Sequence, residues 1–286
     1  MKRLLVFGAG GMTGWEIAQR ALAHGFDCKA LTREQADISD ASAVRAAVAR
    51  VKPDVVMNAA AYTAVDRAEG DRDSAMRINA GGAGNVAKAA ADHSACVLHI
   101  STDYVFDGRA TTPYPPDHHP NPLGVYGESK LAGEEAVRNG SRQHVIVRTS
   151  WVFSHRGRNF VRTMLDRGRA GHPVRVVNDQ RGRPTSAGDL ADALLASASR
   201  LVDDETVRGT YHFANAGVTT WYEFARAIFE LSGTSAVVEP ITTADFPTPA
   251  KRPAYSVLDT TTLQQTFGVK PRAWRDALQE TLELIN

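Results

Sequence analysis

The stretch Leu4-Leu5-Val6-Phe7-Gly8-Ala9-Gly10-Gly11-Met12-Thr13-Gly14 joins an apolar run directly to a glycine-rich loop. An amphipathic pattern over 13–24 follows, so the order is strand, glycine loop, helix. Glycine permits the tight turn that this junction needs, and the N-terminus of the helix attracts phosphate groups. The stretch therefore predicts the start of a nucleotide-binding fold, although glycine clusters also occur in ordinary turns.

The same alternation of apolar runs and amphipathic segments continues along the chain. Apolar runs lie at 30–31, 55–59, 97–101 and 145–147, and helical patterns lie at 41–50, 74–92 and 126–137. Runs as uniformly apolar as Val55-Val56-Met57 are typical of strands buried on both faces. We therefore predict an α/β protein with a doubly wound parallel sheet of the Rossmann type.

Beyond Trp151 the alternation becomes less regular. Segment 187–200 is rich in alanine and helical in pattern, and the strand-like run 210–214 follows it. These two elements could return to the main sheet. We predict a dinucleotide-binding Rossmann domain over 1–153, which 187–214 rejoins, and a smaller C-terminal substrate-binding lobe formed by 154–186 and 215–286.

Composition excludes several classes of partner. The 286 residues carry 33 Lys and Arg against 32 Asp and Glu, and this near-zero net charge gives no global attraction to nucleic acid or to an acidic membrane. The chain has no apolar run near the roughly 20 residues that span a bilayer, and no signal-peptide core. We therefore expect no nucleic acid or membrane partner and a cytoplasmic location.

Two polar segments suggest hydride-transfer chemistry. Thr102 lies in Ser-Thr-Asp-Tyr-Val-Phe-Asp, and twenty-four residues later Tyr126 opens Tyr-Gly-Glu-Ser-Lys130. Residues four apart share one face of a helix, so Tyr126 and Lys130 would point to the same pocket. A nearby ammonium group stabilises a phenolate, so we expect it to lower the tyrosine pKa from about 10. The alternative is an ordinary exposed pair on a surface helix.

The end of the second predicted strand bears on the choice of cofactor. It reads Leu31-Thr32-Arg33, and a cation at this point accommodates a 2′-phosphate, whereas an acid would bind the 2′-hydroxyl. Thr32 and Arg33 therefore favour NADPH, with NADH possible as well. Asp37 lies too late to be that acid and is better placed beside the adenine. The alternative for Arg33 is a solvated surface cation.

Taken together, the motifs resemble the extended short-chain dehydrogenase/reductase superfamily and, within it, the dTDP-4-dehydrorhamnose reductases. The matching segments run nearly from end to end: Gly8–Gly14, Asn58–Asp66, Ala68-Glu69, Asn79, Ser101–Gly108, Tyr126–Glu134, Arg148–Phe153, Asn159-Phe160, Asp179-Gln180, Gly182, Pro184-Thr185, Trp221, Arg252-Pro253 and Ser256. Together they are far more specific than a glycine loop alone.

The resemblance implies an activity: NADPH-preferring reduction of the C4 keto group of dTDP-4-dehydro-β-L-rhamnose to dTDP-L-rhamnose. It implies that Tyr126 protonates the C4 oxygen, that Thr102 assists by hydrogen-bonding the same oxygen, and that Lys130 holds the nicotinamide ribose. It also implies that 1–153 binds NAD(P) and that the smaller lobe binds the sugar nucleotide.

The resemblance further implies the residues around each ligand. The cofactor would contact Gly8, Gly10, Gly11, Met12, Gly14, Thr32, Arg33, Asp37, Ile38, Asn58, Ala59, Ala60, Tyr62, Asn79, Tyr126 and Lys130. The substrate would contact Val65, Asp66, Thr102, Asp103, Tyr104, Trp151 and Arg252, with Trp151 over the deoxysugar and Arg252 on the diphosphate. Trp151 could instead be core, Arg252 a solvated loop charge, and we expect Trp221 to be structural.

Several alternatives stay open. The chain could reduce another NDP-4-keto-6-deoxysugar, or it could be a non-catalytic dinucleotide-binding regulatory subunit, although the intact Thr102, Tyr126 and Lys130 disfavour the latter. Some relatives are dimers bridged by Mg²⁺, for which Glu16 and Glu280 or Glu283 are the nearest carboxylates. Mg²⁺ dependence and the choice between monomer and homodimer therefore stay undecided.

Overall fold

The computed structural model describes residues 1–171 and 173–285. Its strands, in chain order, are β1 (Lys2–Phe7), β2 (Phe26–Leu31), β3 (Val55–Asn58), β4 (Cys96–Thr102), β5 (His144–Thr149), β6 (Val152–Phe153), β7 (Val174–Val177), β8 (Arg181–Gly182), β9 (Thr185–Ser186), β10 (Gly209–His212), β11 (Thr219–Thr220) and β12 (Val238–Ile241).

The α-helices are interleaved with these strands. In chain order they are α1 (Met12–Arg20), α2 (Ala41–Val51), α3 (Val65–Ala68), α4 (Arg72–Met76), α5 (Ala83–Ala91), α6 (Val125–Gly140), α7 (Phe160–Arg169), α8 (Ala187–Asp203), α9 (Trp221–Ser232), α10 (Thr261–Phe267) and α11 (Trp274–Glu283). No helix within the described ranges is long and apolar enough to cross a membrane.

A six-stranded sheet with only parallel pairings forms the centre of the molecule, in the order β10-β5-β4-β3-β1-β2. The chain moves from β1 outward to β2 and then returns to the other side of β1 with β3. This reversal creates a crevice at the carboxyl ends of β1 and β3, which is where open α/β sheets bind ligands. The predicted fold class is confirmed.

Alternate residues of β1 explain why the sheet is covered on both faces. Leu4 and Val6 lie in one buried apolar cluster, together with residues of α1 and α8. Leu5 and Phe7 lie in a second cluster, on the opposite face, with residues of α2 and α5. Because both faces of the sheet are covered by apolar side chains, each residue of the strand core must be apolar, and Leu4 to Phe7 are.

The chain leaves the sheet after β5 and later returns to it. Strand β10 pairs in parallel with β5, with Gly209 opposite Val145 and His212 opposite Arg148. Between and after these strands, helices α7, α9 and α11 share a separate buried cluster with β7, and β7 pairs with β12. The edge of the sheet is therefore completed by β10, a strand that comes after α7 and β7 in the chain.

Two segments differ from the sequence-based prediction. The single helix predicted over 74–92 is divided into α4, a π-helical segment Arg77–Gly82 and α5. Helix α7 was not predicted, because glycine and arginine at 154–172 obscured its pattern, yet Val161, Met164 and Leu165 are buried at helical spacing. π-helical turns are frequent at functional sites, and this one contains Asn79.

Helix α6 is held close to the π-helical segment by Gly133. A side-chain carbon at this position would overlap the Asn79 carbonyl, whereas one at exposed Gly81 would meet nothing. We expect Gly133→Ala to lower the free energy of unfolding by about 1–3 kcal/mol, since α6 must move away. Gly81→Ala, the matched control, should leave the urea midpoint unchanged or slightly higher. Equal midpoints for the two variants would contradict this packing.

Candidate active site

The glycine loop is shaped by close backbone contacts. Gly8 has a φ of 89°, in the left-handed region, and an added side-chain carbon would lie 2.5 Å from the Ala60 nitrogen. One added to Gly14 would overlap the Gly8 carbonyl, so α1 packs directly against the loop. Gly10 and Gly11 are exposed, and Met12 is the first residue of α1. The loop and the turn after β3 therefore form the two walls of the crevice.

The residues after β2 line one end of this crevice. Arg33 is exposed and its Nε lies 3.1 Å from Asp37 Oδ2, and the Asp37 carboxylate also accepts hydrogen bonds from Ser39. Those bonds, the Ser39 backbone amide first, lower the pKa of Asp37. Thr32 is tied to Gln35 through its backbone amide. Unlike Arg33, Ile38 is buried, and its side chain packs against Gly82 of the π-helical segment.

The turn after β3 is fixed by two asparagines. Asn58 Oδ1 accepts a hydrogen bond from the Ala60 amide at 3.1 Å. Asn79, in the π-helical segment, accepts from the Tyr62 amide at 2.8 Å and donates to the Tyr62 carbonyl and to Ser129 Oγ of α6. The π-helical segment therefore joins the turn to the helix that carries Tyr126 and Lys130.

Thr102 and Tyr126 meet at the carboxyl edge of the sheet. Thr102 is the last residue of β4, and Tyr126 is the second residue of α6, half-buried with its ring edge against Tyr104. Burial raises the pKa of the Tyr126 phenol to about 12, the Asp103 carboxylate adds to the increase, and the Thr102 hydroxyl opposes it. The expectation of a lowered tyrosine pKa is therefore wrong for this state of the protein.

The position of the Lys130 ammonium group explains why the pKa of Tyr126 is not lowered. Its Nζ is buried and points to β4, where it donates to the Ile100 carbonyl at 2.7 Å and lies 3.5 Å from His99 Nε2. Burial lowers the pKa of Lys130 to about 8, and Glu134 opposes the decrease. Tyr126 and Lys130 share a helix face as predicted from their spacing, but the ammonium group is directed at the strand and does not shift the phenol.

Asp103 is a buried acid beside this pair. Its Oδ1 accepts a hydrogen bond from Thr102 Oγ1 at 3.0 Å, and its Oδ2 has no hydrogen-bond partner among the described residues. Burial raises its pKa to about 6. The hydroxyls of Ser256 and Thr102 act against this increase. A buried oxygen without a well-aligned hydrogen-bond partner is costly.

A buried ion pair fixes α6. Glu134 is fully buried and accepts hydrogen bonds from Arg148 Nε and Nη2, both at 2.8 Å, from Ser101 Oγ and from Arg138. Burial opposes ionisation of Glu134, but Arg148 and the other donors outweigh it and lower the carboxyl pKa. The helix is thereby held to β4 through Ser101 and to β5 through Arg148.

Arg252, in the loop after β12, is already paired. Its guanidinium binds Asp66 with two hydrogen bonds of 2.8 Å, and Asp66 follows Val65 at the start of α3. Arg252, which we expected to meet a diphosphate, and Asp66, expected to face the sugar nucleotide, therefore neutralise each other here. The alternative of a solvated loop charge does not describe Arg252.

Trp151 has a strained backbone. Its φ is 49°, an uncommon value for a bulky residue, and its indole stacks on Trp221 with ring centroids 3.7 Å apart. A side-chain carbon added to Gly182 would lie 2.5 Å from the Trp151 ring, so glycine there makes room for it. Trp221 also contacts Phe160, and both pack against the apolar cluster that α7, α9 and α11 share, which agrees with the structural role expected for Trp221.

The carboxylates considered for Mg²⁺ already have cationic partners. Glu16 is buried and bonded to Arg20 at 3.1 Å, with His155 Nδ1 at 3.5 Å, and Glu280 pairs with Arg272. No group of three or more His, Cys, Asp or Glu in residues 1–171 and 173–285 is arranged to hold a metal ion. Glu16 and Glu280 are therefore each neutralised by an arginine of the same chain, an arrangement that does not suit Mg²⁺.

The whole chain, residues 1–286, matches the family model described as RmlD substrate binding domain. The chain belongs to this family. A dTDP-4-dehydrorhamnose reductase of Aggregatibacter actinomycetemcomitans is 43% identical over 287 residues and 98% of each chain. A probable dTDP-4,6-dihydroxy-2-methyloxan-3-one 4-ketoreductase of Streptomyces antibioticus is 43% identical over 280 residues, which is 97% of this chain and 94% of that protein.

A solved structure agrees with these similarities. The dTDP-4-dehydrorhamnose reductase of Bacillus anthracis, crystallised in complex with NADP, has a TM-score of 0.93 to this chain at 35% identity, over 99% of both chains. The predicted resemblance to the family is confirmed, and with it the predicted enzyme class, the NAD(P)H-dependent oxidoreductases.

Sequence reasoning missed several polar residues of this site. Glu134 lies four residues after Lys130 and eight after Tyr126, so helical spacing alone could have indicated that it faces the sheet. Arg148 and Ser129 lie in motifs that match the family, but nothing in the sequence assigns a role to either residue. His99 reads as one polar residue inside an apolar run, and nothing in its neighbourhood along the chain indicates its partners.

The two arginines bound to Glu134 give a matched test. Arg148→Gln should lower the free energy of unfolding by about 3–5 kcal/mol, because it leaves a buried carboxylate without its main partner. Arg138→Gln should cost at most about 1 kcal/mol, since that side chain is 36% exposed. Denaturation in urea measures both. Similar losses would show that the buried pair does not fix α6.

Proposed function

We propose that the chain is an NADPH-preferring reductase that converts the C4 keto group of dTDP-4-dehydro-β-L-rhamnose to the alcohol of dTDP-L-rhamnose. The observation that carries this is that Thr102, at the carboxyl end of β4, lies close enough to Tyr126, at the start of α6, to act on its phenol, with Lys130 one turn later on the same helix. Family membership and the names of its relatives support the substrate. The test is to mix the protein with NADPH and that ketosugar and to follow the loss of nicotinamide absorbance. If NADPH is not oxidised under conditions in which an active relative turns over, the proposal is refuted.

The crevice suits a dinucleotide. The glycine loop from Gly8 to Gly14 leaves the backbone open for the pyrophosphate, and the exposed Arg33 can meet a 2′-phosphate. The cofactor supplies the hydride to C4. Asn58, Ala59, Ala60 and Tyr62 would line the opposite wall.

Protonation of the C4 oxygen falls to Tyr126. With a pKa of about 12 the phenol is fully protonated at neutral pH, so it is ready to donate. Thr102 would hydrogen-bond the same oxygen, and Lys130, in its charged form, would hold the nicotinamide ribose. A positioned acid of this kind contributes typically about 10²- to 10⁴-fold.

The substrate would lie between the sheet edge and the second lobe. Asp103 offers its unpaired Oδ2 to a sugar hydroxyl, Tyr104 lies beside Tyr126, and Trp151 provides an aromatic face. Arg252 would exchange Asp66 for the diphosphate, or bind it while keeping one bond. In this proposal 1–153 with 187–214 holds NAD(P) and 154–186 with 215–286 holds the sugar nucleotide, in a cytoplasmic enzyme.

A related ketosugar is the second candidate, because the Streptomyces antibioticus relative is named for a different dTDP-linked ketone. Competition among dTDP-, UDP- and GDP-linked 4-ketosugars separates the candidates. A higher kcat/KM for any substrate other than dTDP-4-dehydro-β-L-rhamnose would replace the first proposal. The complete set of Thr102, Tyr126 and Lys130 disfavours a purely regulatory role, and turnover excludes it.

Tyr126→Phe removes the proton donor and keeps the ring. We expect kcat to fall by about 10²- to 10⁴-fold, with little change in the Kd for NADPH. Tyr211→Phe is the control, since Tyr211 lies on β10 and its hydroxyl donates to the Val207 carbonyl just before that strand, away from the crevice. Retained turnover in Tyr126→Phe, measured by NADPH absorbance, would remove Tyr126 from this role.

Arg33→Gln tests the cofactor preference. We expect the KM for NADPH to rise roughly tenfold and that for NADH to stay nearly constant, because only NADPH loses a charge-assisted hydrogen bond. Arg226→Gln, on α9, controls for a general loss of positive charge. Equal changes for both cofactors would show that Arg33 is a solvated cation.

A further inference from the structure

His99 is a fully buried residue of β4 that contacts Lys130 and that the proposed mechanism does not use. It lies three residues before Thr102, between Asn58 of β3 and Lys130 of α6. Its Nδ1 is 3.2 Å from Asn58 Nδ2, and its Nε2 is 3.5 Å from Lys130 Nζ. Both ring nitrogens therefore face nitrogen atoms, which is an unusual arrangement for a buried imidazole.

The orientation of Asn58 decides which nitrogen of His99 carries the proton. Asn58 Oδ1 accepts the hydrogen bond from the Ala60 amide, so the nitrogen of the Asn58 side chain must face the ring. That nitrogen can only donate, so His99 Nδ1 accepts. The neutral ring then carries its proton on Nε2, and the Nε2–H bond points toward Lys130 Nζ.

We propose that His99 is a positioning residue for Lys130: Asn58 holds its ring in the Nε2–H form, and that N–H bond disfavours the ammonium form of Lys130. The Lys130 amine can accept from this N–H while its own proton goes to the Ile100 carbonyl. The charge of Lys130 is thereby connected to the Asn58–Ala60 turn, which packs against Gly8 of the glycine loop. The effect of His99 on turnover rests on the proposed function, whereas its tautomer does not.

The surrounding charges agree with this assignment. Burial keeps the pKa of His99 well below the ordinary value, and the cations Lys130 and Arg138, both on α6, lower it further. Glu134 is the anion that acts on Lys130, and it favours the charged amine. The Asn58 amide and the apolar Ile146 lie opposite His99 on the neighbouring strands. His99 therefore stays neutral, and its tautomer is the variable that remains.

A second buried histidine provides an internal control. His212 Nδ1 lies 3.1 Å from the Tyr114 carbonyl, which can only accept, so His212 must carry its proton on Nδ1. The two buried rings should thus show opposite tautomers in one spectrum. Nitrogen-15 NMR of histidine-labelled protein distinguishes the two, and His99→Gln and His212→Gln assign the signals.

We expect His99 to give the Nε2–H pattern, His212 the Nδ1–H pattern, and neither to titrate between pH 6 and 9. A protonated Nδ1 or a cationic ring at His99 would overturn the proposal. Asn58→Asp is the second variant: its carboxylate accepts from Ala60 and from the ring, so the His99 proton should move to Nδ1. An unchanged tautomer in Asn58→Asp would also overturn it.

The kinetic readout separates a positioning role from a merely structural one. Turnover needs charged Lys130, so kcat/KM should fall as pH rises through the Lys130 pKa, about 8 in this structure. Both His99→Gln and Asn58→Asp present an acceptor to the ammonium, so this limb should move up by about one pH unit. Loss of activity without a shift of the limb would refute the role. If the wild-type protein reduces no ketosugar, the proposed function fails. The NMR tautomers would still test the hydrogen bonds from Asn58 through His99 to Lys130.

Discussion

The ion pair between Glu134 and Arg148 is the constraint on which the geometry of the site depends. Both side chains are buried, and a buried pair stabilises a fold only when its hydrogen bonds are complete. Here Ser101, Arg138 and Arg148 supply four donors to one carboxylate. The pair therefore holds α6 against β4 and β5 in the orientation in which Lys130 meets β4 and Tyr126 meets Tyr104.

Around this pair the site is built from segments that are distant in sequence and each fixed by backbone contacts. Gly8 closes against Ala60, Asn79 joins the following turn to α6, and Gly133 lets α6 approach the Asn79 carbonyl. Most catalytic and supporting groups are withdrawn from water, which strengthens electrostatic effects on them. The same burial raises the Tyr126 pKa and lowers that of Lys130, so it favours the neutral form of each.

The sequence predicted those features that depend on local pattern. Uninterrupted apolar runs indicated strands covered on both faces, and the spacing of Tyr126 and Lys130 indicated a shared helix face, which the structure shows. Features that depend on distant contacts were not predictable: the lysine turns to Ile100 and His99 because β4 lies there, and Arg252 pairs with Asp66 from the far end of the chain. Helix α7 was missed because glycine and arginine obscure its pattern, and the residues of α9 that cover its apolar face come much later in the chain.

The return of the chain to the sheet at β10 has a consequence for how the protein is made. On a ribosome, β5 emerges with one edge open and keeps it open until β10 has been synthesised, after the whole of α7 and α8. An unpaired edge can join another nascent chain, so this interval carries a risk of misassembly. The many contacts between distant segments also predict slow folding. Yield in a cell should therefore depend on chaperones more strongly than the stability of the finished molecule suggests.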